Sequence, residues 1–159
     1  MSLCHEWEAE LNSKSVAGRL RETCLHFGTF YYEKWRVSAG LRVDINLKLL
    51  LASGTHGKWR GKWHMPVGYV KVDEVPSEAA ELEAFEGTGL RIHAGRLVDC
   101  YTKSADRGNE LILLNEVGSL DGKLIFSDEA FVANCFPPED TPQIPQAGDI
   151  TKKELEEWI

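Results

Sequence analysis

At 159 residues, 43% hydrophobic and 27% charged, the chain is one domain's worth of protein with a real core and room for a small extension. Its formal charge is −7, unevenly spread: residues 1–67 carry a net +4 and residues 68–159 a net −11. The acidic half argues against a nucleic-acid polymer as partner, which needs a basic face, and no apolar run reaches the ~20 residues of a membrane helix.

In chain order, residues 1–34 read as a mixed amphipathic lead-in with aromatics clustered at Phe30, Tyr31 and Tyr32. From Arg36 the pattern turns strand-like. Val37, Ala39, Leu41, Val43 and Ile45 alternate with polar or small residues, the period of a half-buried strand. Leu47–Ala52 reads as a more buried strand, followed by a loop at 53–57. Residues 63–72 are extended but broken at Pro66 and Gly68.

Residues 76–88 give the clearest helix. Pro76 suits its first position, acidic residues fill the first turns, and Gly87 and Gly89 stop it. Its apolar side is expected from Ala79, Ala80, Leu82, Ala84 and Phe85. Strands are predicted at 91–102, 110–117 and 130–136, with a turn at 119–122 and a proline-rich loop at 137–150. Thr151 to Glu154 form a capping box that opens a short C-terminal helix. Strands, one marked helix, more strands and a terminal helix imply an α+β sandwich with a mixed sheet. The four cysteines, Cys4, Cys24, Cys100 and Cys135, make no C-x-x-C pair, and the first residues lack a secretory pattern. Reduced thiols and a cytoplasmic protein are therefore expected.

Glu83 and Glu86 lie three apart on the predicted helix, so both carboxylates project from one face, near the loop containing Gly68. Paired carboxylates beside a backbone loop can hold Mg²⁺ or Mn²⁺ against phosphate oxygens, because hard cations take oxygen ligands. Spacing alone leaves the commoner alternative open: Glu78, Glu81, Glu83 and Glu86 as a solvated acidic face.

The segment from Gly68 through Glu74 to Leu82-Glu83-Ala84-Phe85-Glu86-Gly87-Thr88-Gly89-Leu90 resembles the Nudix box, Gly-x5-Glu-x7-Arg-Glu-U-x-Glu-Glu-x-Gly-U, with U aliphatic. Gly68, Glu74, Glu83, Glu86, Gly89 and Leu90 stand at matching positions, and Trp63 to Gly68 resemble the usual approach. Residues 136–140 and 155–159 are similar to the C-terminal part of the ADP-ribose and NADH pyrophosphatase-like branch. The resemblance implies a Nudix-type α/β/α sandwich over 35–159. It also implies a divalent-metal-dependent pyrophosphohydrolase of nucleoside diphosphate derivatives, of ADP-ribose or NADH type. Glu83 and Glu86 become the catalytic residues. The metal ligands would be Glu83, Glu86, the Val67 carbonyl and a remote glutamate, Glu129 or Glu110. Gly68, Glu74 and Gly89 are structural positions of the box. Relatives often pair, so a homodimer is one expectation.

Two positions depart from the box. Leu82 replaces the arginine that pairs with the first glutamate in the family, which would leave Glu74 without that partner. Gly87 replaces a glutamate that supplies a principal metal ligand. Losing a group aimed at developing charge costs about 10²–10³-fold in rate, so the activity is expected to be weakened. The alternative is a catalytically inactive Nudix-fold module that binds a nucleotide or a protein.

Many members of that branch carry a zinc ribbon ahead of this domain. Cys4-His5-Glu6-Trp7 and Cys24-Leu25-His26-Phe27 resemble its two knuckles within 1–34, each with an aromatic in place of the second cysteine. Structural zinc needs four ligands, and although Cys4, His5, Cys24 and His26 can be counted to four, adjacent residues rarely chelate one ion well, so no zinc is expected here. Lys58, Arg60 and Lys62, interleaved with Trp59 and Trp63, are candidates for facing phosphates, with a solvent hairpin as the alternative. Tyr101 is a candidate for stacking a base, with a core position as the alternative.

Overall fold

The polar lead-in forms a three-stranded antiparallel meander. Strands β1 (Leu11–Val16), β2 (Arg19–Cys24) and β3 (Phe30–Tyr31) pair in chain order. The computed structural model describes residues 10–32, 34–54, 57, 60–104, 109–121, 131–143, 151, 153 and 156. Ala17 and Gly18 join β1 to β2 with φ of 50° and 76°, the two positive values that a tight hairpin with matched strand twist requires. β1 is mostly exposed on both faces, so no apolar alternation betrays it. Cys4 to Trp7 lie outside the described residues. At the second knuckle, Cys24 is fully buried, its carbonyl accepts from the Gly28 amide at 2.8 Å, and its amide donates to the Thr29 carbonyl at 3.0 Å. His26 and Phe27 meet edge to face at 4.9 Å.

The chain divides into two compact units, Met1–Lys34 and Trp35–Ile159. In the second, β4 (Arg36–Arg42) and β5 (Asp44–Ile45) replace the single strand expected over 37–45. Asn46 and Leu47 follow with φ of 52° and 62°, a hairpin turn into β6 (Lys48–Gly54). Leu47 is thus a turn residue, 85% exposed, rather than the start of a buried strand. β6 is buried on both faces, as its unbroken apolar run requires, and it continues through Ser53 and Gly54, which the sequence suggested were loop. β7 (Trp63–His64) and β8 (Val67–Tyr69) flank Pro66, and Gly68 lies within β8 rather than breaking it.

Next come α1 (Pro76–Thr88), β9 (Arg91–Lys103), β10 (Glu110–Asp121) and β11 (Phe131–Phe136). β10 runs through Ser119, Leu120 and Asp121 of the turn expected at 119–122, because these residues keep pairing with β9 as far as Asp121 opposite Arg91, and Gly122 lies outside the described residues. One sheet has the order β8-β4-β10-β9, with β4 and β10 parallel and the other pairs antiparallel. The other has the order β11-β6-β5, with β7 also on β6. The architecture is therefore α+β with a mixed sheet. A 3₁₀ segment, Pro138–Gln143, occupies the start of the predicted proline-rich loop. Thr151, Lys153 and Glu156 are helical, whereas Glu154 and the terminal Trp158 and Ile159 lie outside the described residues.

α1 begins at Pro76 and ends where Gly89 turns left-handed, φ 74°, with its amide on the Phe85 carbonyl at 2.8 Å. Gly87 does not stop it. The Thr88 hydroxyl donates to the Ala84 carbonyl at 2.6 Å and accepts from the Leu90 amide at 3.2 Å, which carries the helix one residue further. Ala79, Ala80, Ala84, Gly87 and Thr88 form the buried face, whereas Leu82 and Phe85 are 41% and 42% exposed. Small residues let the axis approach Ala39, Leu41, Leu50 and Ile92 closely, so side-chain size rather than hydrophobicity selects this face. A second core, holding Leu49, Leu51, Met65, Ile112 and Leu114, contains the alternate residues of β6 and β10. Among the described residues no helix is long and apolar enough to cross a membrane.

Candidate active site

The site begins at the edge strand β8. Leu41 donates its amide to the Pro66 carbonyl at 3.1 Å and Val70 donates to the Val37 carbonyl at 2.9 Å. In an antiparallel ladder with Gly68 opposite Ala39, this alternation gives Gly68 the inward-bonding role. It turns the Val67 carbonyl away from β4. α1 crosses over this strand, and the Glu83 carboxyl occupies the space beside Gly68 where a side chain would stand. A β-carbon at Gly68 would collide with the carboxyl carbon and Oε1 of Glu83. Gly68 is thus a seat for the Glu83 carboxyl.

Burial of Glu83 raises its pKa above the ordinary carboxylate value, and the nearby Glu86 charge adds to that shift. Both effects oppose ionisation, so a cation placed there would relieve them. Glu86 itself is exposed on α1. Two carboxylates and an outward carbonyl are hard oxygen donors, the set that suits Mg²⁺ or Mn²⁺ with water completing the shell. Among the described residues, no three His, Cys, Asp or Glu side chains gather into a metal-binding group.

Glu74 has a partner after all. The loop between β8 and α1 closes on itself, with the Glu74 amide donating to the Lys71 carbonyl at 3.1 Å. The Lys71 amide donates to Glu74 Oε2 at 3.0 Å, and the Lys71 ammonium to Oε1 at 2.8 Å. The lysine hydrogen bond, together with the amide, holds the Glu74 carboxyl below its usual range. The Lys71 ammonium is shifted up in turn by its hydrogen bond to Glu74 and by that residue's charge, with Glu86 and Glu83 contributing further. Lys71 therefore holds the glutamate that Leu82 cannot. Leu82→Arg should change turnover little on its own but restore what Lys71→Ala loses, a drop on the order of tenfold. Steady-state rates of the three variants check this. An equal gain from Leu82→Arg with Lys71 present and absent would contradict it.

The other candidates scatter. Arg60 and Lys62 sit on the exposed turn between β6 and β7, where the Gly61 amide donates to the Gly54 carbonyl at 3.0 Å. Trp63, beside them, packs edge to face on Phe136 at 4.7 Å. Tyr101 is 5% exposed in the second core with the Lys153 ammonium 4.7 Å from its ring centre, the core alternative rather than an open stacking surface. Glu110 accepts from the Ser38 hydroxyl at 2.7 Å. Ser38 alternates with Ala39 and Leu41, which face α1, so Glu110 belongs to the sheet face away from Glu83. Lys58 and Glu129 lie outside the described residues.

One positioning residue was not legible as such. Glu81 accepts from the Ala94 amide at 2.8 Å and approaches His93 Nδ1 at 3.3 Å, tying α1 to β9. In the sequence it is one more glutamate on an acidic helix.

Gly68→Ala tests the seat. The clash is with the far end of a flexible side chain, so the melting temperature should move little. Glu83 must swing away, however, and turnover should fall by about 10²-fold. Retained turnover would show that the Glu83 position is immaterial.

A sequence profile of the NUDIX domain matches residues 34–159. Among solved structures, a NUDIX hydrolase from Nitrosomonas europaea superposes with a TM-score of 0.66 at 22% identity, covering 99% of this chain and 92% of that one. A MutT protein from Methanosarcina mazei Go1 superposes with a TM-score of 0.67 at 17% identity, covering 80% and 95%. An ADP-ribose pyrophosphatase from Streptococcus suis gives 0.60 at 21% identity, covering 79% and 90%.

Proposed function

Because the chain belongs to the Nudix family, whose members act on nucleoside diphosphate derivatives generally with a divalent metal, we propose that it is a pyrophosphohydrolase slowed by the loss of one carboxylate at Gly87. The observation that carries this reading is the Glu83 carboxyl seated on Gly68 at the box positions that the family uses.

In this reading Glu83, Glu86 and the Val67 carbonyl would hold Mg²⁺ or Mn²⁺. When bound, the cation neutralises charge that develops on the pyrophosphate. Glu83 has the properties of a proton acceptor for the attacking water. Burial raises its basicity, and its position is fixed by the glycine beneath it. Glu86 supplies negative charge one turn along the helix. Lys71 and Glu74 brace the loop that carries β8 into α1. The ADP-ribose or NADH type of substrate rests on the resemblance of the C-terminal segments and on the Streptococcus suis neighbour.

The test is incubation with Mg²⁺ or Mn²⁺ and a panel of ADP-ribose, NADH, diadenosine polyphosphates and nucleoside triphosphates, following mononucleotide release. Slow, metal-dependent release from a nucleoside diphosphate derivative is expected. No release from any of them with either metal would overturn the enzyme reading. A nucleotide-induced rise in melting temperature would then favour the inactive binding module.

A further inference from the structure

The N-terminal meander has two unlike faces. Direct partners in an antiparallel ladder stand on the same side of a sheet, and successive residues stand on opposite sides. The register therefore puts Lys14, Arg19, Arg21 and Phe30 on one face, and Ser13, Leu20, Glu22 and Tyr31 on the other. Tyr32, just past β3, joins the first face, because the Arg21 guanidinium lies 4.8 Å from its ring centre. Lys14 and Arg21 are direct partners, so their β-carbons are about 5 Å apart, with Arg19 diagonal to Lys14 at about 7 Å. Like charges placed in this way oppose folding. Among the described residues none of the three forms an ion pair. Glu22, the acid of β2, is on the other face, and Glu10 lies about 13 Å along the chain from Lys14. Lys14 and Arg19 are exposed, and the rings of Tyr32 and Phe30 are 65% and 39% exposed beside them.

We propose that this face binds single-stranded nucleic acid, with Lys14, Arg19 and Arg21 on backbone phosphates and bases stacked on Tyr32 and Phe30. A row of cations without carboxylates calls for a polyanion, whose phosphates turn mutual repulsion into attraction. The exposed rings narrow the choice, because every base offers a flat face to stack on them, which a bare polyphosphate or an acidic peptide does not. A lipid surface takes cations on one side of an element and aliphatic side chains on the other. Here Leu20, 76% exposed, shares its face with the Glu22 carboxylate rather than with an apolar patch, so nothing is set to enter the lipid. The chain's net charge argues against a nucleic-acid polymer only as an average. Residues 68–159 hold the acidic excess, and strand parity separates the cations of the meander from its acid. Binding here is separate from the pyrophosphohydrolase reading and needs neither Glu83 nor a metal.

The probe is a fluorescently labelled octauridylate with a free 5′-hydroxyl, which holds no pyrophosphate to cleave. Its anisotropy is followed in EDTA at rising salt, with the full chain and with Lys14→Gln, Arg19→Gln, Tyr32→Phe and Tyr32→Ala. Affinity should fall with salt at a log–log slope of about −2, or about −0.7 for each of three phosphates. Lys14→Gln and Arg19→Gln should each weaken binding and reduce that slope by about 0.7. Lys14→Gln relieves repulsion from Arg21 and should not lower the melting temperature, so its loss of binding reads as loss of contact. Tyr32→Ala should weaken binding by about tenfold with the slope unchanged, and Tyr32→Phe, which keeps the ring, should retain most of the affinity. An abasic chain of the same length should bind more weakly and ignore Tyr32→Ala. Absence of binding at low salt, a slope unaltered by both glutamine variants, or equal affinity for the abasic chain would each overturn the proposal. Capture of the protein by phosphatidylserine vesicles, lost in Lys14→Gln and unmatched by any oligonucleotide binding, would assign the face to a lipid surface and overturn it too.

Discussion

Glu83→Gln should lower turnover by about 10²–10³-fold and at the same time raise the melting temperature at neutral pH. The two effects share one cause. Burial, and secondarily the charge of Glu86, raise the folded-state pKa of Glu83 above the ordinary carboxylate value it has in the unfolded chain, about 4.5. The folded protein therefore binds this proton more tightly than the unfolded chain does, and ionising it costs stability. That cost is absent below 4.5, grows as pH rises through the raised pKa, and is complete above it. Glutamine removes the cost, so its stabilisation should appear at neutral pH and vanish in acid. Thermal melts on both sides of the transition, with rates measured in parallel, check both halves. A variant equally destabilised at every pH would mean that Glu83 makes a structural bond rather than holding a strained charge. Glu86→Gln should lose turnover to a similar degree.

Gly87→Glu should act in the opposite direction, raising turnover by about 10²-fold. Position 87 is one turn beyond Glu83 on α1, on the buried side of the helix, so a glutamate there would stand beside the Glu83 carboxylate. Glycine to glutamate also improves helix propensity by about 1 kcal/mol. Position 87 is buried, however, and the new carboxylate stands near two others. Without metal the repulsion and desolvation should outweigh the propensity gain and lower the melting temperature. With Mn²⁺ the order should reverse, because the ion neutralises the added charge. Melts with and without Mn²⁺ give the signature. An identical shift in both conditions, with turnover unchanged, would show that the missing ligand is not what limits the protein.

The helix was legible because local rules agree there. Pro76 at the start, Gly89 at the end and fixed spacing between glycine and glutamates all act within a few turns of chain. The face that α1 buries was not legible. Leu82 and Phe85 look like core by hydrophobicity, and only the close approach to β4 gives Ala80, Ala84 and Gly87 the advantage. The N-terminal meander was hidden for a different reason. A first strand exposed on both faces carries no period-two signal, and its hairpin turns on Ala17-Gly18 rather than on an asparagine-glycine pair.

At the site, a motif position could be matched, but a replacement partner could not. Lys71 bonds Glu74 from outside the positions that the box defines, through a loop conformation that no spacing rule encodes. Tyr101 and Glu110 show the limit of residue type as evidence. Either could serve a nucleotide or an ion. Strand parity sends Glu110 to the sheet face away from Glu83, and packing takes Tyr101 into the second core.

Titration of the purified protein with Mn²⁺, followed by electron paramagnetic resonance without substrate, tests the central claim most directly. The account predicts weak binding that Glu83→Gln removes and that Gly87→Glu tightens by at least about tenfold. Tight stoichiometric binding by the unaltered protein, insensitive to both substitutions, would contradict it.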